Sequence, residues 1–341
     1  YKDSRKENNM QSIKTIYKIG PGPSSSHTFG PMMASKYINK HYPDASHFKI
    51  TLFGSLALTG KGHLTDKIIL KTLGANKCEI IFDLKKEVEH PNTMIIEVFN
   101  DDTKIAQHTF VSIGGGKIEI DGKKGNIDPE IYPHTKMDDI QVYCNERHLR
   151  LDQYIDEVEG TEFDSYMNQI FKQMLKTVNT GLKKTGVLPG SLKIDRVAHA
   201  LYQSAQSCSD IQDKNSLLLS SYAYAANEQN ASGGIVVTAP TMGSCGVLPS
   251  LVYHFYHDQK YPKKTLIQGL KVAGLIGNLI QTNATISGAK AGCQAEVGAA
   301  CSMGAAFVAY CQLQNNEQIE CAAEIGLEHH LGLTCDPVGG Y

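Results

Sequence analysis

At 341 residues the chain exceeds the roughly 250–300 residues at which one hydrophobic core stops growing, and its 41% hydrophobic content is enough for two cores. Its 33 basic and 35 acidic residues are mixed along the sequence with a net charge of −2, which leaves no basic stripe for a phosphate backbone and argues against a nucleic-acid partner. The polar stretch from Tyr1 to Asn9 has no signal-peptide core, the longest apolar run (residues 272–280) falls far short of the roughly 20 residues of a membrane span, and nine cysteines without framework spacing fit a reducing compartment, so a cytoplasmic protein is expected.

Residues 48–54, 78–84, 94–99 and 105–112 are rich in β-branched and aromatic residues between turn signals and predict four strands. Helical patterns over about 28–41 and 64–73 interleave with them. The N-terminal domain, residues 11–143, is therefore expected to be α+β, a mixed or antiparallel sheet covered by helices, with its strands ending near Gly114. From Asp121 to about Gly160 the sequence is polar and turn-rich and reads as a connector. Beyond it the helical period takes over: 162–183, 194–207, 215–229, 264–282, 293–313 and 318–331 all read as helices, which predicts an all-α C-terminal domain over residues 160–341. Gly269, Ala273, Gly274 and Gly277 place small residues at close spacing and predict a helix buried at the centre of that domain.

Several segments carry groups suited to chemistry. Ser24-Ser25-Ser26-His27-Thr28 stands at the start of a predicted helix, where hydroxyls and free backbone N–H groups favour a carboxylate by roughly 0.3–1 kcal/mol; plain N-capping is the other use of such residues. His63, in Gly60-Lys-Gly-His63-Leu-Thr-Asp66, and His90, in His90-Pro-Asn-Thr-Met94, lie at element edges, where a histidine serves either as a structural group or as an acid–base group titrating near neutrality. Thr238-Ala-Pro-Thr241-Met-Gly243-Ser244-Cys245 gathers hydroxyls and backbone N–H groups in a glycine-rich loop, which would equally suit tight helix packing. Cys293 and Cys335, 42 residues apart in glycine-flanked loops, offer thiolates to an iron–sulfur cluster or zinc, or are two buried apolar residues.

Together these segments resemble the iron–sulfur-dependent L-serine dehydratases (L-serine ammonia-lyases) in their single-chain form, over nearly the whole chain. The matching runs are Pro23-Ser-Ser-Ser-His-Thr28, Gly60-Lys-Gly-His63, His90-Pro-Asn-Thr-Met94, Asn227 to Pro249, Ser287 to Gly298 and Glu328 to Gly340. The resemblance implies that Ser24, Ser25, Ser26, His27 and Thr28, with Thr238, Thr241, Gly243 and Ser244, hold the substrate's carboxylate and ammonium. It implies an acid–base pair in His90 and His63, with His90 preferred as the base and the His63 loop as an anchor for substrate. It also implies that Cys293 and Cys335 ligate a [4Fe–4S] cluster. The family supplies its third cluster cysteine a few residues beyond the Asp-Pro-Val-Gly-Gly turn, so that ligand is expected beyond Tyr341. The chain as written is expected to be truncated there, to have lost its true start before Tyr1, and to lack the cluster.

The implied reaction is deamination of L-serine to pyruvate and ammonia by β-elimination of water, with the cluster assisting departure of the hydroxyl. A homodimer is expected from base rates. Two other readings stay open: a lyase releasing sulfide from L-cysteine, and a cluster-free amino-acid-binding or structural protein whose cysteines are merely packed. A zinc hydrolase lacks the His-Glu-x-x-His spacing it would need.

Overall fold

The computed structural model describes residues 9–125, 128–190, 192–286 and 288–333, with the side chains of all but Lys124, residues 288–290 and Cys293. The described residues form two units. One comprises residues 20–125 with 231–234; the other comprises 9–19, 128–230 and 235–333. As predicted, an α+β region is followed by a mostly helical one.

Two short strands, β1 (Met10–Gln11) and β2 (Ile19–Pro21), precede a six-stranded sheet made of β3 (His47–Phe53), β4 (Cys78–Asp83), β5 (Thr93–Asn100), β6 (Thr103–Gly114), β7 (Lys117–Ile120) and β8 (Lys123–Lys124). Its spatial order is β4-β3-β5-β6-β7-β8, with β3 and β4 parallel and the other neighbours antiparallel. Alternation sets the register. Phe48, Ile50 and Leu52 of β3 stand opposite Val98, Ile96 and Met94 of β5, and all six are buried, while Lys49 pairs with Glu97 on the opposite face. A one-residue slip would exchange those faces. Helices α1 (Gly30–His41) and α3 (Thr65–Leu73) pack on each other and close this core with Ala34, Ile38, Ile69 and Leu73. Between β3 and α3 lies α2 (Gly54–Thr59), whose six residues are too few to show a helical period.

In the helical unit, β1 pairs antiparallel with β9 (Glu130–Tyr132), and the predicted connector holds two helices, α4 (Met137–Arg147) and α5 (Leu151–Glu159). Charged residues set among the apolar ones of α4 conceal its period, whereas α5 is strongly amphipathic but only nine residues long. Ile140 and Cys144 of α4, and Leu151, Tyr154 and Ile155 of α5, are nonetheless buried in the main core. The unit continues with α6 (Phe163–Gly181), α7 (Ala198–Ser207), α8 (Ile211–Ala231), a short strand β10 (Ile235–Val237), α9 (Val247–His257), α10 (Lys263–Asn283), α11 (Gly288–Cys311) and α12 (Asn316–Glu328). Helix α9 is not among the predicted helices, and it carries a proline, Pro249. That proline falls in the first turn, where the missing N–H would have had no intrahelical partner.

The small-residue helix α10 is the buried one, with 12 of its 21 residues inside. At Gly274 a Cβ would lie 2.4 Å from Ile13 and 2.8 Å from Tyr17, so only glycine admits residues 13–17 against the helix. No helix among the described residues is long and apolar enough to cross a membrane.

Lys271 of α10 is buried at 1% exposure, yet its ammonium donates to Asp156 of α5 and to Asp164 of α6 and lies 5.9 Å from the centre of the Phe163 ring. Both carboxylates are exposed enough to keep part of their hydration, whereas the ammonium has exchanged water for protein oxygens. The two sides of this cluster should therefore respond differently to mutation. Asp156→Asn combined with Asp164→Asn leaves a buried cation unneutralised and should cost about 3–5 kcal/mol, whereas Lys271→Met, which removes the buried charge and keeps the volume, should cost much less. Chemical denaturation of the two variants measures the contrast, and equal losses would contradict it.

Candidate active site

In the α+β unit the serine-rich segment begins the helix that continues as α1. Its first turn, Ser25–Phe29, is π-helical, and Ser24 is the cap: the Ser24 hydroxyl accepts the His27 N–H at 3.1 Å, and the Ser24 carbonyl accepts the N–H groups of Thr28 and Phe29. The wide turn brings the side chain of Ser26 beside its own neighbour, with Ser26 Oγ 2.8 Å from His27 Nδ1. On the other side, His27 Nε2 is 2.8 Å from Ser55 Oγ of α2. The His27 imidazole is thus held at both ring nitrogens by hydroxyls. Its ring centre is 4.8 Å from that of His63.

The loop carrying His63 is tied to the same turn. Thr28 Oγ1 donates to the His63 carbonyl at 2.7 Å, and Thr65 Oγ1 donates to the His27 carbonyl. The third histidine segment arrives by a different contact. Gly54 has φ +51°, and a Cβ there would sit 2.6 Å from the Pro91 carbonyl oxygen, which accepts the Ser55 N–H at 2.7 Å. Only glycine suits both the left-handed backbone and the approach. Ser24–Thr28, His63 and the His90-Pro91-Asn92 turn are therefore gathered around α2. Asn92 is buried, donates through Nδ2 to the Ser112 carbonyl at 3.3 Å, and keeps an Oδ1 with no hydrogen-bond partner among the described residues.

Backbone groups fix the tautomers of the two outer histidines. His63 Nδ1 lies 3.0 Å from the Thr59 carbonyl, which only accepts, so in the neutral ring Nδ1 bears the proton and Nε2 keeps its lone pair. His90 Nδ1 accepts the Asn92 N–H at 3.1 Å, so in the neutral ring the proton is on Nε2. His27 is governed by burial, which, together with the positive charge of a protonated His63, lowers its pKa from 6.5 to about 4.

In the helical unit the glycine-rich loop uses its hydroxyls in two ways. Thr238 is buried and committed to backbone: its Oγ1 accepts the Lys18 N–H at 2.8 Å and donates to the Ile16 carbonyl at 2.6 Å. Ser244 donates to the Ala239 carbonyl at 3.1 Å and stands 3.2 Å from Thr241 Oγ1. Thr241 Oγ1 donates to a carboxylate oxygen of Glu296, on α11. Burial raises the pKa of that carboxyl, and the Thr241 bond opposes the rise. Gly243 lies against the same oxygen, 2.8 Å from where its Cβ would be.

The family model described as the serine dehydratase alpha chain matches residues 68–341, and that of the serine dehydratase beta chain matches residues 12–81. L-serine dehydratase 1 of Escherichia coli (strain K12) is 35% identical over 97% of this chain and 85% of its own length. The L-serine dehydratase of Haemophilus influenzae is 33% identical over the same shares, and that of Helicobacter pylori (strain 26695) is 35% identical over 96% of this chain and 84% of its own. The chain belongs to the serine dehydratase family. It is accordingly a lyase, of the ammonia-lyase type.

Of the residues that serine dehydratase resemblance singled out, Ser24, Ser26, His27, Thr28 and His63 are linked by hydrogen bonds or ring contact in the α+β unit, and Thr241, Gly243 and Ser244 are adjacent in the helical unit. The Cys293 side chain and all of Cys335 lie outside the described residues; among those described, no group of three or more His, Cys, Asp or Glu side chains could hold a metal ion. Ser55, Asn92 and Glu296 were missed. Glu296 had a signal available, being the single acidic residue among the 24 of α11.

The depressed pKa of His27 links protonation to folding. Because the unfolded chain takes up the proton near pH 6.5 and the folded one only near 4, stability present above pH 6.5 is lost as pH falls through that window, by up to about 3 kcal/mol. His27→Gln should flatten this part of the stability–pH curve. Denaturant titrations of both proteins between pH 4 and 7 measure it, and parallel curves would exclude His27 as the source.

Proposed function

We propose that this serine dehydratase family member deaminates L-serine to pyruvate and ammonia by β-elimination of water, with His63 taking the α-proton. The observation that carries this reading is the tautomer imposed on His63 by the Thr59 carbonyl, which leaves a basic lone pair on Nε2 beside the serine-capped helix start. His90, whose Nδ1 lone pair is occupied by the Asn92 N–H, presents a donor in its neutral form and suits hydrogen bonding to substrate better than proton abstraction. This reverses the order of preference drawn from sequence. Ser24, Ser25 and Ser26 are assigned to the substrate carboxylate, which the positive end of the helix would favour. A neutral His27 adds a hydrogen-bonding edge without adding charge. Loss of the α-proton and the β-hydroxyl gives aminoacrylate, which tautomerises and hydrolyses to pyruvate and ammonia, so the water lost is regained.

The named relatives act on L-serine, and the resemblance implies a [4Fe–4S] cluster with Cys293 and Cys335 among its thiolate ligands. The donor chemistry fits that assignment. Burial raises the thiol pKa of Cys78, Cys144, Cys245, Cys301 and Cys311, which disfavours them as thiolate ligands. Gly292, at φ +76° and ψ 175°, interrupts α11 directly before Cys293. When bound, the cluster would supply a Lewis acid for departure of the β-hydroxyl.

Two measurements test the reading. His63→Asn should abolish release of deuterium from [2-²H]serine, a loss of about 10²–10⁴-fold, while His90→Asn retains exchange. The converse result would return the base to His90. In parallel, in the cluster-loaded full-length protein, Cys293→Ala and Cys335→Ala should each lower iron per chain while Cys144→Ala leaves it unchanged; wild-type iron in either of the first two would remove that cysteine from the ligand set. Sulfide release from L-cysteine in preference to pyruvate from L-serine would overturn the substrate assignment.

A further inference from the structure

We infer that Tyr42, His108 and Asp121 of the α+β unit form a second, nucleophilic centre, at which the Tyr42 phenol takes an acyl group from an activated ester. The inference is independent of the serine reading above. Three side chains stand in series: Tyr42 Oη, just past the end of α1, is 2.8 Å from His108 Nε2 of β6, and His108 Nδ1 is 2.7 Å from Asp121 Oδ2, one residue beyond β7. An ionised carboxylate only accepts, so His108 donates through Nδ1 and, in the neutral ring, keeps its lone pair on Nε2. Tyr42 then donates its proton toward that lone pair. A nucleophile beside a base that a third group orients is the arrangement by which hydroxyl and thiol nucleophiles are activated. A tie between helix and sheet alone would need only one donor and one acceptor.

Each member is held in place. Asp121 has φ +51°, a left-handed backbone that aspartate tolerates better than most residues; its N–H donates to the Thr109 carbonyl at 2.8 Å, and its Oδ1 accepts the Thr109 N–H at 2.8 Å. That clamp aims Oδ2 at the imidazole. Against the opposing effect of partial burial, the Thr109 N–H and His108 hold the Asp121 carboxyl below its ordinary value, so it is ionised at neutral pH. The imidazole is wedged among the rings of Tyr37, Tyr42 and Phe110, whose centres are 5.7, 5.6 and 6.1 Å away. The exposed ring of His41 stacks on Tyr37 at 4.0 Å, which extends the aromatic surface beside the imidazole and suits an aryl ester. In the transfer, Tyr42 Oη bonds to the acyl carbon and the ester C–O bond breaks to release the aryloxide. The phenol proton passes to His108 Nε2, where the Asp121 charge stabilises the imidazolium, and from there neutralises the leaving group. An acyl-tyrosine is itself an aryl ester, so water removes the acyl group as a carboxylic acid and regenerates the phenol.

The probe is p-nitrophenyl acetate, followed by nitrophenol release and by peptide mass mapping of the acid-quenched protein. Tyr224 of α8, 50% exposed and so more open to solvent than Tyr42, is the internal reference. Wild-type protein should acquire acetyl on Tyr42 at least about tenfold faster than on Tyr224, since general-base assistance is typically worth about 10²–10⁴-fold and the lower exposure of Tyr42 offsets part of it. Tyr42→Phe should remove that label and the share of nitrophenol release that accompanies it. His108→Gln and Asp121→Asn should each slow acetylation of Tyr42 by about 10²-fold or more. If His108→Gln lowers the urea midpoint, Asp121→Asn, at a side chain 49% exposed, decides alone. Acetylation of Tyr42 no faster than that of Tyr224 would reduce the three residues to a structural tie, and labelling unaffected by Asp121→Asn would show an unactivated phenol; either overturns the inference. Nitrophenol release in Tyr42→Phe equal to that of the wild type overturns it as well.

Discussion

The chemistry-bearing part of the α+β unit depends on one close approach, that of the Pro91 carbonyl to the backbone of Gly54. With φ +51° and no Cβ, Gly54 turns the chain from the end of β3 into α2 and lets Ser55 donate its N–H to Pro91. The same residue, through its hydroxyl, holds His27, and the far end of α2 offers the Thr59 carbonyl to His63. One helix of six residues thus fixes the orientation of two imidazoles and anchors the turn that carries the third. Hydrogen bonds to the backbone and hydroxyl groups of a short helix position side chains more tightly than a mobile loop would, as the proposed proton transfer requires.

The two units treat a charge inside protein in opposite ways. Lys271 is surrounded by its answer: two aspartates accept from the ammonium and an aromatic ring lies beneath it, so the charge is satisfied within the chain. In the α+β unit the solution is neutrality, since His27 is held with its pKa near 4 between two uncharged hydroxyls. Both arrangements lower the cost of burial, one by pairing and the other by deprotonation.

Much of this was legible in the sequence where a pattern is local. The alternation of Phe48, Ile50 and Leu52, and of Met94, Ile96 and Val98, gave the central strands, and the small residues of α10 gave the buried helix. The Ser24–Thr28 run was recognised as a helix start, although its π-helical first turn, which brings Ser26 Oγ to His27 Nδ1, has no signature in composition. What failed was either too short or not local. The six residues of α2 show no period, α4 hides its own among charges, and α5, though amphipathic, is only nine residues long. Ser55 acquires its role only because the fold brings it to His27, 28 positions away, and Glu296 only because α11 meets the loop at Thr241, 55 positions away. Thr238, singled out in the sequence as a candidate ligand hydroxyl, also ties residues 16–18 to the loop, accepting the Lys18 N–H and donating to the Ile16 carbonyl.

The backbone immediately after His63 stores energy that its neighbours could have avoided. Leu64 is held at φ +58°, a left-handed conformation that costs a branched residue roughly 1–2 kcal/mol, while Gly60, four positions earlier, keeps an ordinary helical φ of −58°. A glycine at position 64 would relax the turn and, by the same freedom, let the imidazole before it wander. The leucine instead lies against Gly233, 3.1 Å from where a Cβ there would be, so that its side chain pins the strained turn in place. The cost of the left-handed turn is thus coupled to a contact that holds the backbone carrying His63 in one conformation.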